Sequence, residues 1–255
     1  MQVSQIYISD GNTALSPYLQ QCVEAAKHCF PNFRHVLYDE SSLKQFLIDN
    51  FDTEVVAAYD KLNPYAYKAD LGRYCLLYAI GGWYFDVSVK PVASISVPEN
   101  IESIAFRDRQ IVSATSWACC NAANYSKKGN PVFQTAIQKV IQNCKNEYYG
   151  VTPLCPTGPT VLGEAFALHG ARPNRVFGDY QYLTPNHPNK NLAYVLPDGM
   201  IFALGNPDAG GGLKKLGTTG TNNYGDMYFS RTVYKSQSGF QPTSATADSP
   251  TVLPT

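Results

Sequence analysis

The stretch that decides the fold runs from Tyr67 to Val92 and reads YKADLGRYCLLYAIGGWYFDVSVKPV. Its first part has a helical pattern that ends at Gly81 and Gly82, and its second part, WYFDVSV, alternates as a strand does. Asp70 and Arg73 share one face of the predicted helix, because residues three apart are neighbours on a helix surface. The glycine pair allows a tight turn, so we expect both side chains to lie near Asp86 of the strand.

Alternation along this strand predicts one apolar face that joins the core and one polar face that borders a ligand crevice. The apolar face would consist of Trp83, Phe85, Val87 and Val89, and the polar face of Tyr84, Asp86, Ser88 and Lys90. A carboxylate inside such an apolar strand is a candidate ligand-binding group. The next outward position carries the hydroxyl of Ser88 instead of a second carboxylate.

The segments around this stretch predict an α/β protein. Before it, residues 3–9 read as a strand, 14–29 as a helix and 33–39 as a second strand, and Asp39 or Ser41 can cap the helix that follows. Strands that alternate with helices are typical of a parallel sheet covered by helices.

After this stretch the pattern predicts a strand over residues 109–120, a helix opened by Asn130 and Pro131, and a helix ended by Gly170. Residues 205–225 form a glycine- and asparagine-rich segment, which is either a functional loop or a simple connection. Residues 236–255 read as a disordered Ser/Thr/Pro tail.

Composition excludes several classes of function. The chain has 255 residues, of which 20 are basic and 20 acidic, so no charge excess indicates a nucleic-acid partner or an anionic membrane. Its 7 cysteines include no CxxC pair, which argues against a zinc site, and Cys22, Cys29 and Cys75 are expected to be buried free thiols of a reducing compartment. The N-terminus lacks the pattern of a signal peptide, and no stretch is long enough to span a membrane. We therefore expect a cytoplasmic protein with at most peripheral association at the inner face of a membrane.

The central stretch resembles the sugar-binding region of retaining glycosyltransferases of family 32. This family includes capsule and O-antigen glycosyltransferases and initiating mannosyltransferases, and the large glucosylating toxins have a related core. The resemblance rests on Asp70-Leu-Gly-Arg73-Tyr74, Gly81-Gly82 and Tyr84-Phe-Asp86-Val-Ser88. Weaker similarities follow in order at Asn121–Pro131, Thr157-Gly158-Pro159 and Gly220–Tyr234.

This resemblance implies a GT-A fold and a hexosyltransferase that moves a sugar from a nucleoside diphosphate sugar to a glycan or glycoconjugate, with retention, in polysaccharide synthesis. It implies one domain over residues 1–235, in which about 1–120 bind the donor and about 121–235 form the acceptor side and a closing loop. Asp70 and Arg73 match positions that hold the donor sugar, and Asp86 matches the first motif aspartate. Further expected substrate contacts are Tyr84, Asn121 and Gly158 and, from their place after the first strand, Ser9 and Asp10.

The second motif aspartate, a metal ligand in the family, is Ser88 here. An ion such as Mn²⁺ or Mg²⁺ would then be held by Asp86, the donor phosphates and Ser88, with Asp226 or an asparagine of the 222–223 pair added from the C-terminal segment. Alternatively, Lys214 and Lys215, which follow three glycines, would close on the diphosphate in place of a metal.

Two rival functions follow from the same residues. The loss of the second aspartate is compatible with an inactive nucleotide-sugar-binding or scaffolding protein. A glycoside hydrolase would need two carboxylates that face one bond, and the sequence offers no such pair at readable spacing.

Overall fold

The computed structural model describes residues 1–113, 115–183, 192–205 and 213–235, and its strands join in one mixed sheet. The strands are β1 (Gln2–Ile6), β2 (Arg34–Tyr38), β3 (Gly82–Phe85), β4 (Lys90–Pro91), β5 (Ser103–Arg107), β6 (Cys119–Ser126), β7 (Arg175–Tyr182), β8 (Leu192–Val195) and β9 (Ile201–Leu204). The helices are α1 (Pro17–Cys29), α2 (Glu40–Asn50), α3 (Thr53–Lys61), α4 (Tyr65–Ala79), α5 (Pro131–Lys145), α6 (Pro159–His169) and α7 (Tyr224–Phe229). The predicted tail, residues 236–255, and residues 206–212 of the glycine-rich segment lie outside the described residues.

The strand order is β2-β1-β3-β6-β5-β7-β8-β9-β4. β1 is parallel to both β2 and β3, and β5 is parallel to β7, whereas the other pairs are antiparallel. The predicted α/β class is confirmed. Because β1 and β3 run in the same direction, their carboxyl ends meet at one edge of the sheet.

The helix boundaries follow capping signals in the sequence. The Asp39 carboxylate accepts a hydrogen bond from the backbone N–H of Ser42 at 2.8 Å, while the Ser42 hydroxyl accepts one from the Asp39 N–H at 3.0 Å. Of the two predicted caps, Asp39 is the one observed. Helix α3, which the sequence analysis did not predict, begins in the same way after Asp52, whose side chain accepts from the Val55 N–H.

The predicted strand over residues 109–120 is wrong. β5 ends at Arg107 and β6 begins at Cys119, and the described residues between them contain turns and no strand. This connection is closed by a backbone hydrogen bond of 2.8 Å from the Asp108 N–H to the Ala118 carbonyl. Hydroxyl side chains such as that of Ser113, which donates to the Asp108 carboxylate, satisfy polar groups locally and favour turns over a ladder.

The strand after the glycine pair is shorter than predicted. β3 ends at Phe85, and the N–H of Val89 donates to the carbonyl of Asp86 at 2.9 Å, so Asp86 opens a turn that contains Val87 and Ser88. The backbone N–H of Asp86 still donates to Ala122 of β6 at 2.8 Å, which fixes the start of this turn against the sheet.

Both faces of β3 are buried. Trp83 and Phe85 pack on one side with Phe30 from the end of α1 and Phe202 of β9, as the apolar pattern predicted. Tyr84 lies on the other side of the strand, fully buried in the core beneath the helices. The prediction that its side chain borders the ligand crevice is therefore wrong. Helices α4 and α6 cover one face of the central strands, and the end of α1 together with β9 covers the other, which leaves the strand ends as the place where a ligand can enter.

The cysteines agree with the expected free thiols, with one correction. None of the 7 is paired, and Cys22 and Cys75 are buried, but Cys29 at the end of α1 is only half-buried. Among the described residues, no helix combines the length and the apolar character needed to cross a membrane.

Candidate functional site

A cavity of about 460 Å³ opens at the carboxyl ends of β1 and β3. Its wall contains Tyr7 and Ile8 after β1, and the turn from Asp86 to Val89 after β3. Helix α4 contributes Asp70 and Arg73, and β6 contributes Asn121. The central residues predicted from the sequence therefore meet in one cavity, although they come from three separate elements.

Asp70 is held on every side by the protein. Its Oδ1 accepts a hydrogen bond from Asn121 Nδ2 at 2.8 Å, and its Oδ2 accepts one from Thr157 Oγ1 at 2.6 Å. Arg73 Nη2 lies 3.2 Å from Oδ1. Burial raises the pKa of the Asp70 carboxyl, and the positive charge of Arg73 opposes that shift. A carboxylate with this many partners is fixed in place before any ligand arrives.

Arg73 connects the two aspartates. Its Nη2 lies 3.2 Å from Oδ1 of Asp70 and 3.2 Å from Oδ1 of Asp86. Its Nε donates to the Ala69 carbonyl at 3.1 Å, its Nη1 donates to the Asn121 carbonyl at 3.0 Å, and the guanidinium lies 4.9 Å from the Tyr84 ring centre. Each guanidinium nitrogen thus has a protein partner, which makes Arg73 a positioning residue at least as much as a sugar ligand.

Asp86 is the most accessible member of this network. Its side chain is 30% exposed, against 9% for Asp70 and 5% for Arg73. The Tyr84 hydroxyl donates to Oδ1 of Asp86 at 2.7 Å, and Arg73 approaches the same oxygen. These contacts restrain one oxygen of the carboxylate and leave the group facing the cavity, as a ligand-binding role requires.

Asn121 and Gly158 complete the support of Asp70. The Asn121 side chain also donates to the Tyr74 hydroxyl at 3.0 Å, and that hydroxyl donates to the carbonyls of Thr157 and Gly158 at 2.9 and 3.1 Å. Gly158 comes directly before α6, and a Cβ atom there would lie 3.5 Å from Asp70 Oδ2. Both residues line the cavity, so their predicted proximity to the site holds.

The end of the first strand contributes different residues from those expected. The cavity wall contains Tyr7, Ile8 and Tyr65, while Ser9 is buried and Asp10 is exposed beside it. The Tyr65 hydroxyl donates to the Asp10 carboxylate, and the Asp10 N–H donates to Gly220 at 2.7 Å. Asp10 thus fixes a tyrosine of the wall and the C-terminal segment.

The residues proposed to hold a metal fit such an ion only together with a substrate. Ser88 lines the cavity from the turn after Asp86, whereas Asp226 lies exposed on α7, whose Tyr224 and Gly225 form the wall. Among the described residues, no group of three or more His, Cys, Asp or Glu side chains is arranged to hold a metal ion. Asp86 is thus the carboxylate that an ion would share with phosphate oxygens, as is common for Mg²⁺.

Lys214 and Lys215 lie on a short 3₁₀ helix, Leu213–Leu216, whose first residue lines the cavity. Both lysines are exposed to solvent. The glycines that precede this helix are outside the described residues.

The wall contains two charged residues that were not predicted from the sequence, Asp108 and Arg109. They follow β5, and the signal that singled out Asp86, a charged residue directly after an apolar strand, is also present in SIAFRDR. Burial raises the pKa of Asp108, and a hydrogen bond donated by Ser113 opposes this shift. Tyr224 was also missed; burial and then the charges of Asp70, Asp108 and Asp86 raise its pKa to about 12.

Comparison with known proteins identifies the part of the chain that contains Asp70, Arg73 and Asp86. Residues 16–109 match the family described as "Glycosyltransferase sugar-binding region containing DXD motif". The resemblance to a glycosyltransferase sugar-binding region is thereby confirmed for this part of the chain. An "Uncharacterized glycosyltransferase L373" of Acanthamoeba polyphaga mimivirus is 32% identical over 87 residues, which are 34% of this chain and 34% of that protein. The chain therefore spans about a third of the length of this curated relative.

Solved structures with similar backbones are also glycosyltransferases by name. The PaToxG glycosyltransferase aligns with a TM-score of 0.49 and 19% identity, over 66% of this chain and 69% of its own. Mouse xyloside xylosyltransferase 1 aligns with a TM-score of 0.39 and 10% identity, over 71% of this chain and 84% of its own. A glycosyltransferase involved in glycosylation of the major capsid of PBCV-1 aligns with a TM-score of 0.37 and 7% identity, over 70% of this chain and 82% of its own.

Proposed function

We propose that this protein is a GT-A-type glycosyltransferase that takes a sugar from a nucleoside diphosphate sugar and transfers it to a glycan or glycoconjugate. The observation that carries the proposal is the network of Asp70, Arg73 and Asp86 at the carboxyl ends of parallel strands. Open α/β sheets bind ligands at this edge, and the network lies within the region that matches the glycosyltransferase family.

In this proposal the cavity is divided along the sheet. The nucleoside lies against Tyr7, Ile8 and Tyr65 beside β1, and the sugar lies over Asp86 and Asn121. Asp86 accepts hydrogen bonds from the donor, while Arg73 and Tyr84 hold the carboxylate in orientation. About residues 1–120 form the donor side, and about residues 121–235 form the acceptor side and the segment that closes the cavity.

A divalent ion fits this arrangement as a companion of the donor. Mn²⁺ or Mg²⁺ would be held by Asp86, the Ser88 hydroxyl and the phosphates, and when bound it offsets the charge of the departing diphosphate. Ser88 is a neutral ligand, so the protein contributes less binding energy to the ion than two aspartates would. Asp226 and the lysine pair 214–215 remain candidates to approach the phosphates from the C-terminal segment.

We further propose that the transfer retains the anomeric configuration, as membership of family 32 would imply. The network provides no free second carboxylate to act as a nucleophile, because both oxygens of Asp70 accept hydrogen bonds from side chains. Attack of the acceptor on the face that the diphosphate leaves needs no such nucleophile. A hexose donor and a role in polysaccharide synthesis are part of the same proposal.

One observation favours a second candidate function, a catalytically inactive protein that binds nucleotide sugars. The second carboxylate of the motif is replaced by Ser88, and the described residues provide no ready metal group. This candidate differs from the enzyme in a single measurable respect, since it would bind the donor without consuming it.

A panel of nucleotide sugars tests the proposal. Thermal unfolding with each donor should reveal at least one that raises the midpoint, because a ligand bound at a hundred times its Kd adds about 2.7 kcal/mol to apparent stability. Release of the nucleoside diphosphate is then followed with and without Mn²⁺. Binding with turnover supports the transferase, binding without turnover supports the inactive candidate, and no binding by any donor contradicts both.

A further inference from the structure

Arg109 places a buried positive charge on the wall of the cavity. The residue is 9% exposed and lines the cavity two positions after the end of β5. Its guanidinium lies 5.4 Å from the ring centre of Tyr180 and 4.8 Å from that of Tyr182, and Nη1 donates to the Tyr182 hydroxyl. Its Nε is buried without a hydrogen-bond partner.

This charge also lacks a carboxylate partner. Within the described parts of the chain, Arg73, Arg107 and Arg175 form ion pairs, but no carboxylate lies within ion-pair distance of Arg109. The carboxyl of its neighbour Asp108 accepts hydrogen bonds from the Ser113 hydroxyl and the Arg109 backbone N–H, and it interacts with the Arg109 charge only from beyond ion-pair distance. A buried charge without a direct ion-pair partner is costly, so an anionic ligand group that pairs with this guanidinium would be bound favourably.

The position of Arg109 indicates which part of a ligand it meets. β6 separates β5 from β3, so the strand that precedes Arg109 lies two strand spacings, roughly 9–10 Å, from the strand that precedes Asp86. The two tyrosines that hold the guanidinium belong to β7, on the side of β5 remote from β3. Arg109 is therefore at the opposite end of the cavity from Tyr7 and Ile8, which follow β1.

We propose that Arg109 is an anion subsite that recognises a carboxylate or phosphate group of a saccharide at the β5–β7 end of the cavity. This inference rests on the proposed function for the order of nucleoside, diphosphate and sugar along the sheet. In that order the diphosphate lies between the nucleoside at Tyr7 and Ile8 and the sugar over Asp86 and Asn121, so the anion that reaches Arg109 is a substituent of the sugar end of the complex. It belongs either to an acidic donor sugar or to an acidic acceptor.

The matched control for this subsite is Arg107. It lies two residues earlier, but unlike Arg109 its side chain is 58% exposed and forms an ion pair with Asp179 at 2.8 Å. Arg107→Gln thus removes the same charge from the same part of the sheet without reaching the cavity wall. Arg109→Gln removes the buried charge, and Arg109→Lys keeps a charge but not the planar group between the two tyrosines.

The experiment is a calorimetric binding series on the wild type and these three variants. The ligands are nucleoside diphosphates, the hexose and hexuronate esters of the one that binds best, and methyl glucoside, methyl glucuronide and glucose 6-phosphate. The wild type should bind at least one anionic ligand about tenfold more tightly than its neutral counterpart, a difference of about 1.4 kcal/mol. Arg109→Gln should reduce this ratio to about one and change the affinity for the nucleoside diphosphate alone by less than about twofold. Arg109→Lys should retain part of the preference, and Arg107→Gln all of it.

The ligands of the series distinguish an acidic donor from an acidic acceptor, and they separate failure of this proposal from failure of the proposed function. Preference for the hexuronate ester identifies an acidic donor, and preference for the glucuronide or the sugar phosphate identifies an acidic acceptor. The proposal is overturned if the wild type prefers no anionic ligand, if Arg109→Gln weakens the nucleoside diphosphate equally, or if Arg107→Gln removes the preference as well. Absence of nucleotide binding by the wild type would contradict the proposed function, while the glycoside arm would still decide the role of Arg109.

Discussion

The network of Asp70, Arg73 and Asp86 explains why a charged residue follows such an apolar strand. Two carboxylates near one another repel, and the guanidinium between them, 3.2 Å from an oxygen of each, offsets that repulsion. Burial alone would lower the pKa of Arg73, but the nearby negative charges, that of Asp86 first and then that of Asp70, raise it above its usual value. The arginine therefore stays charged and holds both carboxylates in place.

Removing Arg73 should destabilise the protein through Asp70. Arg73→Met leaves a buried carboxylate without its counterion, so the free energy of unfolding in urea should fall by about 3–5 kcal/mol. Arg107→Met, which breaks an exposed pair, should cost less than about 1 kcal/mol. The double variant Asp70→Asn/Arg73→Met should lose much less free energy of unfolding than the sum of the losses in the two single variants. Additive losses would mean that the two side chains are not coupled.

Asp108 should make stability depend on pH in a defined direction. Burial raises the pKa of its carboxyl above the usual 3.8, so the folded state holds this proton more tightly than the unfolded state. The stability gained from this proton is complete below pH 3.8 and is lost as the pH rises through the higher folded-state pKa. Asp108→Asn carries no such proton. The stability of this variant relative to the wild type should therefore increase between about pH 4 and pH 7 in urea titrations. A constant difference across that range would contradict the assignment.

The sequence predicted the charged residues of the site better than it predicted their hydrogen-bond partners. The spacing of Asp70, Arg73 and the glycine pair was enough to place three charged side chains together. The hydrogen bonds from Thr157 and Asn121 join residues 87 and 51 positions apart, which no local pattern reveals. Arg109 was not predicted as a site residue because the apolar pattern of residues 109–120 predicts a strand, and Asp108 directly precedes that pattern.

The element that determines the site geometry is the turn from α4 into β3. Both glycines have positive φ, 75° at Gly81 and 88° at Gly82, a region that side chains with a Cβ rarely adopt. A Cβ atom at Gly82 would lie 2.2 Å from the carbonyl oxygen of Gln2, so the strand can approach β1 only with glycine there. This approach brings Asp86 to the same sheet edge as Tyr7 and Ile8.

Gly82→Ala should therefore cost more than its backbone conformation alone. The matched control is Gly129→Ala, which has a φ of 76° but no atom within 4 Å of the added Cβ. The control should lose about 1 kcal/mol from the unfavourable φ, and Gly82→Ala should lose at least about 2 kcal/mol more because the β1–β3 pair must move. Chemical denaturation measures both. Equal losses would show that the close approach to Gln2 does not constrain the turn.

Helices whose ends are marked by capping residues, proline or glycine were predicted well, whereas strands defined by long-range pairing were not. The boundaries of α4, α5 and α6 are marked by Pro64, Asn130 and glycines, which act within a few residues. β5 and β6 are fixed instead by pairing with each other and with β3 and β7, which a single sequence does not encode locally. The end of β3 at Phe85 depends likewise on the turn that Asp86 and Val89 close.

The cavity exists only in the whole molecule. Its wall combines the segment after β1, helix α4, the turns after β3 and β5, and the C-terminal segment from Leu213 to Gly225. A hydrogen bond of 2.8 Å from the Asn63 side chain to the Thr232 carbonyl joins the chain just before α4 to the chain just after α7. The α/β class could be predicted from the order of elements, whereas the shape of the cavity could not.

Metal dependence is a property of this assembled site. The ion would share Asp86 with the donor phosphates, and the neutral Ser88 contributes little to its affinity. In a titration of transfer activity, the wild type should need millimolar Mn²⁺ or keep partial activity in EDTA, and Ser88→Asp should lower the metal concentration required by about tenfold or more. Ser94→Asp, an exposed serine, is the control. Micromolar dependence of the wild type would show that another side chain, with Asp226 the first candidate, replaces the missing aspartate.

The central claim, that the cavity transfers a sugar through Asp86, is tested most directly by donor turnover in Asp86→Asn. This change keeps the size of the side chain and removes its charge, and Asp179→Asn, at a side chain of β7 that is 44% exposed, is its control. With the donor that binds the wild type, Asp86→Asn should remain folded and lose at least about a hundredfold in turnover, or about 2.7 kcal/mol of transition-state stabilisation. Asp179→Asn should turn over at the wild-type rate. A folded Asp86→Asn variant that consumes the donor as fast as the wild type would contradict the account.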